Sequence, residues 1–262
     1  MDFLIHHMLR ASARRRPDAE ALVHGPERLS YAEVDRRVSG LARGLREAGL
    51  QRGDRIGIYL DASVPQALSI FGVSRAGGVY VPINGLLFPE QVGHIARDCQ
   101  MRGLITTREK LEALAQTIKE TPSLDFLILV GEGGPVDSPL ATYGFEEVCA
   151  LETPAGWRDH GIEKDLAAIL YTSGSTGKPK GVMLSHAQVM AGSTIVSTYL
   201  DITESDRILA VLPFSFDAGM NQLMTAWQQG ATMVLINFVF AREVVKTALA
   251  ERITGLAGVP TF

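Results

Sequence analysis

Two cysteines, Cys99 and Cys149, are all that the 262 residues hold. So few in a chain this long exclude a disulfide framework or a cysteine-built zinc site, and they fit a reducing compartment. The start, Met1 to His7, lacks the basic residues and following apolar stretch of a secretory leader. Long apolar runs are scarce as well. The longest, Ala231 to Ala241, is broken by Thr232 and Asn237 and falls short of the roughly 20 residues of a membrane span. Basic excess is missing too: the net charge is −4, so no positive field advertises nucleic-acid binding. The one basic run, Arg14 to Arg16, reads as a solvated helix face. These absences together predict a cytoplasmic protein with no membrane segment and no nucleic-acid partner.

What is present is ordinary globular composition, 46% hydrophobic and 21% charged. A chain of this length can bury roughly 75% of the surface its unfolded form exposes, in one large domain or two lobes. Ser30 followed by Glu33 has capping-box spacing, and the helix it opens carries Val34, Val38, Leu41 and Leu45 before Gly49. Strands and helices then alternate. Strands are expected at 55–60, 79–83, 103–106 and 126–130, with helices at 64–75, 89–99 and 109–120 between them. That alternation predicts βαβ units in layered, mostly parallel α/β sheets, with ligands beyond the carboxyl ends of the strands. Residues 131–157 are rich in Gly, Pro and Ser and read as a surface connection with one short helix. This predicts a boundary between lobes of about 1–157 and 158–262.

The chemistry concentrates where the apolar run Leu166 to Leu170 meets Tyr171-Thr172-Ser173-Gly174-Ser175-Thr176-Gly177-Lys178-Pro179-Lys180-Gly181. Glycines let backbone N–H groups converge on an anion. Thr172, Ser173, Ser175 and Thr176 add hydroxyls, while Lys178 and Lys180 add charge for phosphate oxygens. A mobile linker is a poor account, because Val182-Met183-Leu184 frames the loop on its far side and a helix begins near Ser185. A Walker A loop is excluded as well. It needs Gly where Thr172 stands and Ser or Thr where Pro179 stands.

This loop resembles the signature of AMP-forming acyl-CoA synthetases, luciferases and peptide-synthetase adenylation domains. Leu29 to Val34, Arg75 to Asn84, Val211 to Asp217 and Gly258 to Thr261 are similar to further motifs of that family. The resemblance implies the large N-terminal domain of such a ligase. It also implies that the later nucleotide motifs and the small domain carrying a catalytic lysine lie beyond Phe262, so that residues 1–262 alone would not complete adenylation.

The implied reaction joins a small carboxylic acid to ATP with Mg²⁺, then passes the acyl group to coenzyme A or a carrier-protein thiol. On this resemblance Thr172 and Lys180 are the catalytic candidates. The nucleotide would be held by Thr172, Ser173, Gly174, Ser175, Thr176, Gly177 and Lys180, with Thr176 at the metal. Lys178 falls at a variable position. Phe216, Asp217, Val259 and Pro260 would border the substrate.

The substrate class divides the reading. Phe216 replaces the His of many acyl-CoA ligases, and Phe216-Asp217 resembles amino-acid adenylation domains, in which such an Asp pairs with the α-ammonium. Gly219 departs from that pattern. For Asp217 an N-cap on a helix from Ala218 to about Trp227 is an equal account, and for Phe216 plain core packing. An acyl-CoA ligase is the leading expectation, with amino-acid adenylation and a non-catalytic nucleotide-binding fragment as alternatives. Apolar surface left uncovered on the piece would favour dimers.

Overall fold

The computed structural model describes residues 3–133, 136, 138–172 and 179–259. In chain order the elements begin with helix α1 (Ile5–Arg15), strands β1 (Glu20–His24) and β2 (Glu27–Ser30), α2 (Tyr31–Glu47), β3 (Arg55–Tyr59) and α3 (Val64–Ala76). They continue with β4 (Val79–Ile83), α4 (Pro89–Asp98), β5 (Gly103–Thr107), α5 (Arg108–Ala113), α6 (Ala115–Lys119) and β6 (Phe126–Val130). Next come β7 (Ala141–Gly144), α7 (Phe145–Cys149), β8 (Leu166–Thr172), β9 (Lys180–Ser185), α8 (His186–Tyr199) and β10 (Arg207–Ala210). Last are α9 (Asp217–Gln229), β11 (Thr232–Leu235), α10 (Ala241–Ala250) and β12 (Gly255–Leu256).

The strands form two sheets. Seven lie in the order β7-β6-β5-β3-β4-β8-β9, parallel except for the β8–β9 hairpin. Five lie in the order β12-β10-β11-β1-β2, parallel except for β1–β2. The expected α/β class with mostly parallel sheets is what the chain adopts. Sheet membership cuts across the expected boundary at 157/158, because β1 and β2 join the later strands while β8 and β9 complete the sheet of the earlier ones.

Alternation of side chains along each strand builds the layers. In β4, Tyr80 faces the large central core, while Val79, Val81 and Ile83 face the opposite side. The central core also takes Ile56 and Ile58 from β3 and Leu22 and Met233 from the other sheet. Between the two sheets sit α1, α2, α3 and α9, with Phe71 and Trp227 rings 4.6 Å apart. The far face of the seven-stranded sheet is covered by Val92 and Ile95 of α4 and by Leu111, Leu114 and Ile118. Val244 of α10 covers the far face of the smaller sheet.

Local expectations are largely met, with three differences. Ser30 and Glu33 form the capping box of α2, and Ser185 with Gln188 forms another at α8. The single helix expected at 109–120 is two, α5 and α6, meeting at buried Leu114. β2 and β7 are additional edge strands, the second within the segment read as a surface connection. Both are four residues long with half of their positions exposed, too little apolar signal to distinguish from a loop.

The helix α1 is pinned by a polar clamp. Asp159 Oδ2 accepts hydrogen bonds from His7 Nε2 and Arg10 Nη1, both at 3.0 Å, and His6 Nε2 lies 3.1 Å from Oδ1. The Ile5 N–H donates to His186 Nδ1 at 3.3 Å, which ties α1 to the start of α8. Burial pulls the imidazoles of His6 and His186 down to about 4, so both are neutral in the fold near pH 7. Cys99 and Cys149 are buried and unpaired, and burial pushes their thiols up to about 11 and about 12. No helix of the described residues is long and apolar enough to cross a membrane.

Candidate active site

The hairpin β8–β9 carries the described part of the expected phosphate loop. β8 runs parallel to β4 with Tyr80 opposite Ala168, and Ala167 to Leu170 are buried, which anchors the strand in the sheet. Its carboxyl end is Thr172, and the antiparallel register sets Thr172 opposite Lys180. Both are exposed, at the same end of the sheet as the carboxyl ends of β3, β4 and β5. Ligands of open parallel sheets sit at that end. Thr172 and Lys180 are therefore brought together across the neck of the loop. Ser173, Gly174, Ser175, Thr176, Gly177 and Lys178 lie outside the described residues, and so does Pro260.

The second group gathers around α9. Phe216 occupies the N-cap position in extended conformation and is 52% exposed, so the core-packing account fails for it. The N-cap account of Asp217 fails as well. The helix starts one residue earlier than expected, Asp217 is its first residue, and no side chain makes a capping hydrogen bond. A carboxylate in the first turn still meets the positive end of the helix dipole.

Asp217 lines a cavity of about 490 Å³ together with Asn221 and Thr225 of α9, Tyr199 of α8 and Leu200 just after it, and Leu256 of β12. Among the described lining residues Asp206 and Asp217 are acidic and none is basic; most of the others are apolar. Asp206 is already committed, accepting from the Thr203 N–H at 2.7 Å and from Thr254 Oγ1 at 2.7 Å. Val259 stands half-exposed three residues beyond Leu256.

At Gly219, where the sequence departs from the adenylation-domain pattern, there is no room for a side chain. A Cβ there would lie 2.2 Å from the Pro213 carbonyl oxygen, so the first turn of α9 packs directly on the Leu212–Pro213 backbone. Met220 in the same turn accepts a hydrogen bond from the Tyr80 hydroxyl at 3.2 Å. Tyr80 belongs to β4, beside β8, so α9 and the hairpin are both keyed to one strand. Among the described residues no hydrogen bond or ion pair joins Thr172 or Lys180 to Phe216 or Asp217.

Sequence reasoning missed three features. A cleft of about 450 Å³ opens where the carboxyl ends of both sheets converge, lined by Asp61, Asn84, Leu212, Ser215 and Asn237. Asn221 and Thr225 line the cavity one and two turns beyond Asp217, at spacings that the helical period would have flagged. The third is the packing of α4 against the hairpin through His94 and Asp98.

A family model described as AMP-binding enzyme matches residues 9–262. Tyrocidine synthase 1 of Brevibacillus parabrevis is 31% identical over 233 residues, covering 89% of this chain and 20% of that protein. Feruloyl-CoA synthase of an Amycolatopsis species is 32% identical over 256 residues, covering 95% of this chain and 47% of the relative. Among solved structures, the anthranilate CoA ligase AuaEII in complex with anthranoyl-AMP superposes with a TM-score of 0.91 at 25% identity, covering all of this chain and 51% of that one. The chain thus spans about half the length of these two CoA-ligating proteins and a much smaller share of the tyrocidine synthase.

Proposed function

The chain belongs to the AMP-binding enzyme family, and from that premise we propose that it is the nucleotide-binding portion of an enzyme that activates a carboxylic acid with ATP and passes the acyl group to coenzyme A. The observation that carries this reading is the exposed Thr172–Lys180 pair at the carboxyl end of a parallel sheet, at the neck of a loop of glycines and hydroxyls. In the first step a carboxylate oxygen attacks the α-phosphorus of ATP and pyrophosphate leaves. Two anions must approach, so the chain's task is alignment and charge neutralisation. The Lys180 ammonium meets phosphate oxygens, and the Thr172 hydroxyl donates to one of them. In the second step the thiol sulfur attacks the acyl carbon and AMP leaves. Mg²⁺ would supply positive charge to neutralise the phosphates; Thr176, the expected metal-side residue, is outside the described residues.

The cavity beside α9 is the proposed seat of the acid. Its mostly apolar lining suits a hydrocarbon or aryl body of modest size. The second reading, amino-acid activation, draws on Asp217, an acidic side chain lining a cavity in which no described lining residue is basic. A substrate ammonium would be its natural counter-charge.

Pyrophosphate exchange by the full-length protein tests both. One panel holds aliphatic and aryl acids, the other amino acids. Exchange with plain acids, reduced at least tenfold in Lys180→Ala, is the expected result. Exchange with amino acids alone would replace the leading reading by the second. No exchange with any acid, and no binding of MgATP, would overturn both.

A further inference from the structure

Helix α4 holds both legs of the β8–β9 hairpin. His94 Nε2 lies 3.2 Å from the Pro179 carbonyl oxygen, and a carbonyl can only accept, so that nitrogen carries the proton. Asp98 Oδ2 accepts a hydrogen bond of 2.5 Å from the Tyr171 hydroxyl, the short length of a charge-assisted pair. His94 and Asp98 are four residues apart on α4, hence on one face. Their partners, Tyr171 and Pro179, each stand one residue before a member of the Thr172–Lys180 pair. The two contacts therefore grip the hairpin at its neck, one on β8 and one on the residue that leads into β9.

Two further observations make the grip a built one. Tyr171 is paired across the strands with Gly181, and a Cβ at 181 would lie 3.1 Å from the Tyr171 ring and 2.7 Å from Ile169. The absent side chain is what lets the ring lie across β9. Burial, and then the Asp98 carboxylate, hold the Tyr171 phenol well above its ordinary range, so it remains a donor near neutral pH. The opposite face of α4 buries Val92, Ile95 and Ala96 against the sheet, which fixes the helix that does the gripping.

We infer that α4 is a positioning element for the nucleotide loop, with His94 and Asp98 setting where Thr172 and Lys180 meet the phosphates. This rests on the nucleotide reading proposed above. His94 and Asp98 touch neither substrate in this account; they act through the hairpin. Loss of either contact would leave the sheet intact and the neck free to splay, which weakens the hold on ATP and spares the acid.

The test uses the full-length protein and paired variants. Tyr171→Phe and His94→Leu each remove one contact, whereas Asp98→Asn keeps an acceptor and His94→Gln keeps a donor. KM for ATP and for the acid are measured by pyrophosphate exchange, MgATP affinity by calorimetry, and folding by Tm. Each removing variant is expected to raise the KM and Kd for ATP about 3- to 10-fold, the worth of one hydrogen bond, with the KM for the acid within about twofold. The Gln variant should return to near wild type, and the Asn variant, which keeps the acceptor without its charge, to within about threefold of it. ATP affinity unchanged in well-folded Tyr171→Phe and His94→Leu overturns the inference. So do equal rises in both KM values that follow a fall in Tm, since that is general destabilisation. Wild-type protein that binds no MgATP overturns the nucleotide reading and this inference together, a result distinct from normal wild-type binding that the variants leave untouched.

Discussion

The hydroxyl of Tyr80 in β4 donates to the sulfur of Met220 in α9 across 3.2 Å, and both side chains are buried. One turn before Met220, Asp217 faces the cavity; one strand from Tyr80, β8 leads to the Thr172–Lys180 neck. The contact therefore sits between the two halves of the proposed site. Burial, and after it the charge of Asp217, hold the Tyr80 phenol far above its ordinary range, which keeps it a donor.

Replacing that hydroxyl gives the first prediction. Tyr80→Phe removes the donor and leaves a thioether, a weak acceptor that tolerates an apolar neighbour. The expected loss is about 1 kcal/mol of stability, read from urea denaturation. A loss above about 3 kcal/mol would mean that the hydroxyl has a stronger partner than a sulfur.

Gly219 gives a sharper one. A side chain there must displace the Pro213 carbonyl, which is backbone and cannot rotate away. Gly219→Ser should cost about 3 kcal/mol and disturb the cavity at the first turn of α9. A Gly219→Ser protein as stable as wild type would show that this turn shifts at little cost.

The layered sheets were legible because each central strand is a short apolar run bounded by turn residues, with helical patterns between. Ser30–Glu33 and the loop between Leu170 and Val182 were legible for the same reason, being local. What sequence could not supply was pairing over distance. Tyr171 finds Asp98 and His94 finds Pro179 across 73 and 85 residues, and nothing in either segment names the other. The return of β8 to the sheet of β3 and β4 is likewise a matter of topology, so the Gly- and Pro-rich stretch before it read as a boundary. The N-cap account of Asp217 was off by a single residue: the helix takes Asp217 as its first position and leaves the N-cap to Phe216, while the side chain lines the cavity.

Acid should loosen the clamp on α1. In the fold the imidazoles of His6 and His186 take up a proton only at about 4, against about 6.5 in an unfolded chain. A lowered histidine makes the unfolded state the better proton binder between those values, so stability falls as pH drops from about 6.5 towards about 4. By pH 5 each imidazole should have cost about 2 kcal/mol relative to pH 7. Asp159 adds to this below about pH 4. Against the upward pull of burial, its contacts with His6 and His7 hold it below the usual carboxylate range, and that contribution is lost as the carboxylate protonates. Urea midpoints measured from pH 8 to pH 4 should show the decline, and His6→Gln with His186→Gln should flatten it. A profile unchanged by the double substitution would assign the acid sensitivity elsewhere.

Asp217 decides which acid the cavity serves. Its carboxylate makes no hydrogen bond or ion pair with another described residue, it lines about 490 Å³ of mostly apolar space, and none of the basic residues lies among the described lining. If the body of the substrate is hydrocarbon or aryl, the carboxylate is a bystander at the helix start. Asp217→Ala should then leave kcat/KM for plain acids within about threefold, the scale of a removed first-turn charge at roughly 0.3–1 kcal/mol. If an ammonium is seated there, removing its Asp217 carboxylate partner should cost about a hundredfold or more, about 3 kcal/mol, and Asp217→Asn should not restore it. Exchange assays on wild type and both variants, each with an aryl acid and its amino-acid counterpart of similar size, separate the two cases. The acyl-CoA ligase reading predicts the small effect, and a large loss confined to amino acids would transfer the chain to the amino-acid-activating branch of its family.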